Sequence, residues 1–271
     1  MTGVQGQRAF ITGGSSGIGL SMARQLVQAG AHVAIAARGA QRLGGALEEL
    51  KALAAGGQIV AAFPLDVADR AAVLAVAAQA IEALGGLDLL INNAGITRPG
   101  HFAELDDGVF EDMVVVNYLG MVWTTRAFLP ALLASGRGRV LNVSSIAGLL
   151  GVFGYTAYGA SKFAVTGFTE ALRQELKPKG ITVSLLCPPD TDTPQLAGEE
   201  PFKPAETRAM AGKVRPLPAE VVARAGLEGA LAGTPVIVPG FDGWVTATAA
   251  RLLPGVARWV MDRDVASVAK R

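Results

Sequence analysis

Tyr158 and Lys162 stand four residues apart in Tyr-Gly-Ala-Ser-Lys, with Ser145 thirteen residues upstream. Positions i and i+4 share one face of a helix, so a phenol and an ammonium would point into the same space. A neighbouring cation favours the phenolate and lowers a tyrosine pKa from its ordinary value of about 10. That makes Tyr158 a candidate proton donor near neutral pH. The spacing alone equally fits a part-buried tyrosine beside a solvated lysine, and the surrounding chain decides between them.

Short β-branched runs alternate with helix-length stretches. The pattern predicts strands over Arg8–Thr12, His32–Ala37, Gln58–Phe63, Leu87–Asn92, Arg139–Ser144, Thr182–Cys187 and Pro235–Val238. It predicts helices near Ile18–Ala29, Gln41–Ala54, Arg70–Leu84, Asp107–Ala134 and Thr156–Lys177, several followed by a C-capping glycine such as Gly30, Gly85 or Gly180. Alternation of this kind with apolar strands implies a parallel sheet covered on both faces by right-handed crossovers. Sheets of that type bind ligands beyond the carboxyl ends of their strands. The regular pattern fails over residues 191–218, rich in prolines and charges, and a long insertion after a strand end is expected to be a substrate lid.

Thr12-Gly13-Gly14-Ser15-Ser16-Gly17-Ile18-Gly19 joins the first strand to the first helix. Glycines allow the backbone to approach a ligand closely, and a helix N-terminus offers free N–H groups to a pyrophosphate. Between a strand and a helix, such a loop reads as a dinucleotide site. The second strand ends in Ala37-Arg38, with Arg42 one turn on, and lacks the carboxylate that would hold a ribose 2′-hydroxyl. A guanidinium pairs a 2′-phosphate bidentately, Ser15 adds a hydroxyl, and the expected cofactor is NADPH/NADP+.

These motifs together resemble the short-chain dehydrogenase/reductase family over the chain to about Val238: the Thr12–Gly19 loop, Asp66-Val67, Asn92-Asn93-Ala94-Gly95, Asn117, Ser145, and Tyr158 with Lys162. The resemblance implies a doubly wound parallel α/β sheet, the Rossmann fold, as one catalytic domain over residues 1–240, with a helical tail over 241–271. It implies that Asp66 and Val67 flank an adenine, and that Asn93, Ala94 and Gly95 line the cofactor cleft. It casts Ser145 as orienting a substrate carbonyl, Tyr158 as donating a proton, and Lys162 as binding the nicotinamide ribose while lowering the pKa of Tyr158. Asn117 would hold a water linking Lys162 to solvent. Tyr155, seven residues from Lys162, is the competing tyrosine. In Pro188-Pro189-Asp190-Thr191-Asp192-Thr193, Pro189 departs from the family's glycine. Thr193 keeps the hydroxyl that bonds a carboxamide, and Thr191 falls where the family uses a backbone group. That run, with Phe202–Arg208 and Phe153–Tyr158, is similar to the members that reduce long-chain 3-keto sphingoid bases. Homodimers or homotetramers are common in the family, pairing the Asn117 and Tyr158 helices.

Composition excludes other classes. Of 271 residues, 51% are apolar and 17% charged, which supports a sizeable core, and a net charge of +1 gives no case for nucleic acid. The single cysteine, Cys187, excludes an intrachain disulfide framework and fits a reducing cytoplasm. His32 and His101 are isolated, so no metal site is expected. Pro254-Gly255, Arg251 and Arg258 interrupt the apolar tail, which falls short of a membrane span. That tail either contacts a membrane peripherally, covers a lipid tunnel or packs on protein. The alternatives to a sphingoid ketone are a 3-oxoacyl thioester, a steroid or a small xenobiotic ketone. A non-catalytic NADP(H)-binding scaffold or sensor fits poorly with intact Asn117, Ser145, Tyr158 and Lys162.

Overall fold

The computed structural model describes residues 3–211 and 215–268; residues 212–214 of the expected lid and 269–271 of the expected tail lie outside the described residues. Strands β1 (Arg8–Thr12), β2 (His32–Ala37), β3 (Val60–Pro64), β4 (Leu89–Asn92), β5 (Arg139–Val143) and β6 (Thr182–Leu186) form most of the sheet. After them come β7 (Thr191–Asp192) and β8 (Leu217–Pro218), which pair with each other, and β9 (Val236–Ile237). The seven-stranded sheet has the order β3-β2-β1-β4-β5-β6-β9, and every pairing is parallel. The order reverses between β1 and β4, and this switch point opens a crevice at their carboxyl ends.

The helices are α1 (Gly17–Gln28), α2 (Ala40–Leu53), α3 (Arg70–Leu84), α4 (Asp107–Val114), α5 (Gly120–Ala134), α6 (Thr156–Leu176), α7 (Pro194–Glu199), α8 (Ala205–Ala211), α9 (Ala219–Ala232), α10 (Phe241–Leu252) and α11 (Pro254–Val268). Alternate side chains on each strand point to opposite faces. Ile11, Val33, Ile35 and Ile91 therefore pack with Met22, Leu26 and Val222 under α1, α2 and α9. Phe10, Leu90 and Val140 pack with Val73, Phe128, Leu132 and Leu176 under α3, α5 and α6. Strands buried on both faces need apolar residues throughout, which is why they read as continuous runs.

Two expectations are corrected by the backbone. The stretch Asp107–Ala134 is not one α-helix: a π-helical turn over Val115–Leu119 separates α4 from α5. Residues 191–218 are not irregular, since α7, α8 and the short β7–β8 pair lie within them. Thr193 starts α7 by accepting a hydrogen bond from Leu196 N–H at 3.2 Å, with Pro194 at the first helical position, where its missing N–H costs nothing. In the tail, α11 packs against both α8 and α10.

Candidate active site

A cleft of about 1130 Å³ opens along the carboxyl ends of the strands, from the glycine loop past Tyr158 to α10 and α11. Its nucleotide end is built by the loop after β1. Gly13 has φ +68°, and a side chain there would collide with Asn93 and Ala94. At Gly19 a Cβ would lie 2.4 Å from the Gly13 carbonyl, so the helix can sit this close to the strand only with glycine. The loop is held from β4: Asn93 Nδ2 donates to the carbonyls of Thr12 (3.2 Å) and Gly13 (3.1 Å), and Thr12 Oγ1 accepts from Asn93 and Ala94 N–H. Ser16 at the N-cap of α1 makes no side-chain capping bond, leaving the first N–H groups of the helix for a ligand. This cradle fits a dinucleotide pyrophosphate.

Ser15, Arg38 and Arg42 line the same end, together with Asp66 and Val67. Arg38 Nη1 lies 3.9 Å from Asp66 Oδ2, both side chains being about half exposed, a pair too solvated to hold Arg38 away from a ligand. Val67 is buried against the start of α5, where a Cβ on Gly120 would meet its side chain at 2.9 Å.

Ser145, Tyr158 and Lys162 face the middle of the cleft. Ser145 follows the end of β5 and caps a single 3₁₀ turn, its Oγ accepting from Ala147 N–H at 3.1 Å. Tyr158 and Lys162 lie one turn apart on α6, with Lys162 Nζ 5.6 Å from the Tyr158 ring centroid. Lys162 Nζ donates to the Val143 carbonyl at 3.0 Å, and burial lowers its pKa to about 8. The expected lowering of the Tyr158 pKa is not what this environment gives. Burial pushes it up, the Ser145 hydroxyl pulls it down, and Glu199 and Asp190 push it up again, so the phenol is held above its ordinary value. Burial also raises the Cys187 thiol to about 12, leaving it an inert packing residue at the end of β6.

Gly19 and Asn117 stand behind the cleft wall. Asn117 is fully buried in the π turn, and its side chain is spent on protein: Oδ1 accepts from Ile96 N–H at 2.8 Å, and Nδ2 donates to the Ile96 carbonyl (3.0 Å) and Ser161 Oγ (2.9 Å). These bonds pin the chain after β4, and a Cβ on Gly95 would lie 3.2 Å from Asn117 Oδ1 and 3.5 Å from Lys162 Nζ. The Asn117 side chain therefore positions Gly95 and Ile96.

Pro188, Thr191 and Thr193 line the cleft beyond Ser145. The Thr193 hydroxyl is used within the loop, donating to the Thr191 carbonyl at 3.2 Å, while Thr191 Oγ1 donates to the Pro189 carbonyl at 2.8 Å. Pro189 packs beside Gly243 of α10, where an added Cβ would meet its Cγ at 3.6 Å. A proline in place of glycine thus braces the tail helix.

Sequence reasoning missed the group beside Tyr158. The Tyr155 hydroxyl donates to Glu199 Oε1 at 3.0 Å, and Lys203 Nζ stands 3.5 Å from the same oxygen. Glu199 and Lys203 are only 7% and 6% exposed. Their i, i+4 spacing was readable, but nothing local announced that 44 residues of chain separate Glu199 from a hydroxyl it binds. At the far end, Val245, Ala249, Val256, Val260 and Met261 of α10 and α11 give the cleft a mainly apolar lining, with Asp242, Thr246 and Asp264 beside them.

The parallel sheet, glycine cradle and facing Ser145, Tyr158 and Lys162 define a Rossmann-type dinucleotide-binding protein. The chain belongs to the short chain dehydrogenase family of NAD(P)(H)-dependent oxidoreductases: the family profile described as "short chain dehydrogenase" matches residues 7–203. It is 43% identical over 210 residues to a "3-dehydrosphinganine reductase" of Danio rerio, covering 77% of this chain and 63% of that protein's length. A short chain dehydrogenase/reductase from Burkholderia phymatum, solved with NAD, superposes with a TM-score of 0.82 at 28% identity, covering 93% of this chain and 95% of that one. An actinorhodin polyketide ketoreductase solved with NADPH gives 0.77 at 33% identity, over 88% of this chain and 97% of that one.

Proposed function

We propose that the protein reduces the ketone of a long-chain 3-keto sphingoid base to a secondary alcohol with NADPH. The observation that carries this reading is the single continuous cleft, which runs from the glycine cradle past Tyr158 into an apolar end formed by α10 and α11. A dinucleotide takes the first part and an alkyl chain the last, with the carbonyl carbon between them at Tyr158. The Danio rerio relative's name agrees with such a substrate. Arg38, Arg42 and Ser15, grouped at the adenosine end, favour NADPH over NADH.

The nicotinamide, when bound, supplies the hydride. The rest falls to the chain. Ser145 and Tyr158 hydrogen-bond the ketone oxygen, where charge develops in the transition state. Tyr158 then gives its proton to that oxygen; a phenol kept above its ordinary pKa remains protonated and ready to donate. Lys162 would hold the nicotinamide ribose and keeps positive charge beside the phenolate left behind. Helices α7 and α8 close the substrate side, with Leu196, Glu199, Thr207 and Met210 on the cleft wall. Asn117, through Gly95 and Ile96, keeps the floor of the cleft in register.

Among the described residues no helix is long and apolar enough to cross a membrane. Phe241, Trp244 and Leu252 on α10, Leu253 at its C-cap and Trp259 on α11 are exposed, and these apolar side chains support peripheral contact with the membrane that would hold such a substrate. Co-sedimentation with anionic vesicles should fall when Trp244 and Trp259 are changed to Ser. Exposed Val114, Leu133 and Phe163 on α4, α5 and α6 support a homo-oligomer through those helices, which analytical ultracentrifugation tests.

A panel of 3-ketones of increasing chain length tests the substrate. Rising kcat/KM with alkyl length is expected, and a flat or inverse profile would overturn the reading. The polyketide ketoreductase likeness makes a 3-oxoacyl thioester the competing substrate, and preference for it over the sphingoid ketone would replace the first assignment.

A further inference from the structure

The proposed ketone carries a primary amine on the carbon next to the carbonyl, and that amine is protonated near neutral pH. Any pocket that holds the carbonyl at Tyr158 must therefore accommodate a cation one carbon away. An unpaired cation leaving water for a closed cleft is costly, so a matching carboxylate is required beside the tyrosine.

Glu199 is that carboxylate by position. It lines the cleft at the end of α7 and is 7% exposed. It binds Tyr155, whose ring centroid lies 5.6 Å from that of Tyr158, and its charge is felt at Tyr158. Its two oxygens are unequal. Oε1 takes the Tyr155 hydroxyl and faces Lys203, so the protein's polar contacts on this side fall on one oxygen. Burial raises the Glu199 pKa, while the nearby Thr97 hydroxyl, the Lys203 ammonium and the Tyr155 hydroxyl favour its ionised form, as a bound ammonium would. Lys203 does not neutralise the site fully, because its ammonium lies nearer Glu200 Oε2, at 3.2 Å, than Glu199 Oε1, at 3.5 Å. Arg208 is occupied by Glu200 as well. Asp190, exposed on the same cleft wall, has no ion-pair partner among the described residues and adds a second negative charge. The wall beside Tyr158 thus offers Glu199 and the unpaired Asp190 to the substrate head, while the opposite end is mainly apolar.

We propose that the Glu199 carboxylate, assisted by the Asp190 charge, binds the α-ammonium of an amino-ketone substrate and so selects it over ketones lacking the amine. The proposal rests on the reading of the substrate as a sphingoid ketone and adds the group that recognises its head. Tyr155 and Lys203 fix the orientation of the carboxylate by holding Oε1.

The test compares three ketones of equal chain length: the 2-amino-3-ketone, its N-acetyl derivative, and the 3-ketone with hydrogen in place of the amine. In the wild-type protein kcat/KM should be roughly 10–100-fold higher for the free amine than for the other two. In Glu199→Gln that ratio should collapse toward one, with the loss lying mainly in KM. The N-acetyl comparison needs no variant, so a misfolded Glu199→Gln would not rescue or sink the idea. Wild-type protein that reduces all three ketones with equal efficiency overturns the amine site and leaves ketone reduction standing. Protein that reduces none of them, but reduces an acyl thioester, overturns the sphingoid reading and the amine site with it.

Discussion

Lys162 donates to the main-chain carbonyl of Val143 at 3.0 Å, which ties the α6 ammonium to the last residue of the strand that presents Ser145. Ser145 and Lys162 are thereby registered to each other through β5 rather than through side-chain contact alone. Burial without a close carboxylate lowers the lysine pKa to about 8.

The pH profile should carry that signature. The ammonium is present below about 8 and is lost as pH rises through that value, while burial keeps the Tyr158 phenol protonated throughout. The rate of ketone reduction should be level below the lysine pKa and decline above it. Arginine stays charged at every accessible pH. Lys162→Arg should therefore show a lower rate with no decline near pH 8, measured by NADPH absorbance under saturating cofactor.

Tyr158→Phe removes the proton donor while keeping the ring. Turnover should fall about 10²–10⁴-fold. NADPH should still bind, as read by quenching of protein fluorescence, because the cradle around Gly13 and Gly19 is untouched. Retained turnover would transfer the role to Tyr155, whose hydroxyl is committed to Glu199.

Arg38→Ala should lower kcat/KM for NADPH by about 10–100-fold, the worth of a charge-assisted hydrogen bond to phosphate. The value for NADH should change little, since the 2′-phosphate is the only group affected. An equal loss with both cofactors would place Arg38 on the adenine or the pyrophosphate instead.

Far from the cleft, Asp88 is completely buried before β4 and receives Arg8 Nε and Nη2 and Arg137 Nε and Nη2 at 2.9–3.2 Å. Burial pushes its carboxyl up, but these two guanidinium groups outweigh that and hold it well below the ordinary carboxylate range. A depressed carboxyl contributes stability above its unfolded pKa of about 4 and loses it as pH falls through the folded value. Asp88→Asn should cost about 3 kcal/mol by urea denaturation at neutral pH, and less as the pH is lowered toward 3. Equal destabilisation across that range would show that packing, not charge, is what Asp88 supplies.

The sheet was legible in the sequence because each of its strands is apolar on both faces. Val33, Ile35 and Val183 leave no alternation to confuse with a helix. The cofactor loop was legible because the glycines that permit close approach, Gly13 and Gly19, fall within one short run of the chain. Strand ends were less so: Gln58 was expected in β3, but its side chain leaves the sheet to donate to the carbonyls of Val27 and Ala31. The proline-rich stretch hid α7 and α8, since Pro194 at the start of α7 and Pro204 just before α8 break periodicity. Glu199 was illegible as a site residue because its meaning depends on Tyr155 and on a fold that closes 44 residues of chain.

The π turn over Val115–Leu119 has a consequence for how the chain tolerates change in length. It places one extra residue in the ladder between α4 and α5. Removing a single residue there would let the ladder close as a continuous α-helix and take away the widened turn that carries Asn117. Asn117 would leave Ile96 and Ser161, and the chain after β4 would lose the side chain that pins it. A one-residue deletion in this turn should prove more damaging than a two-residue insertion in the surface connection at residues 55–57.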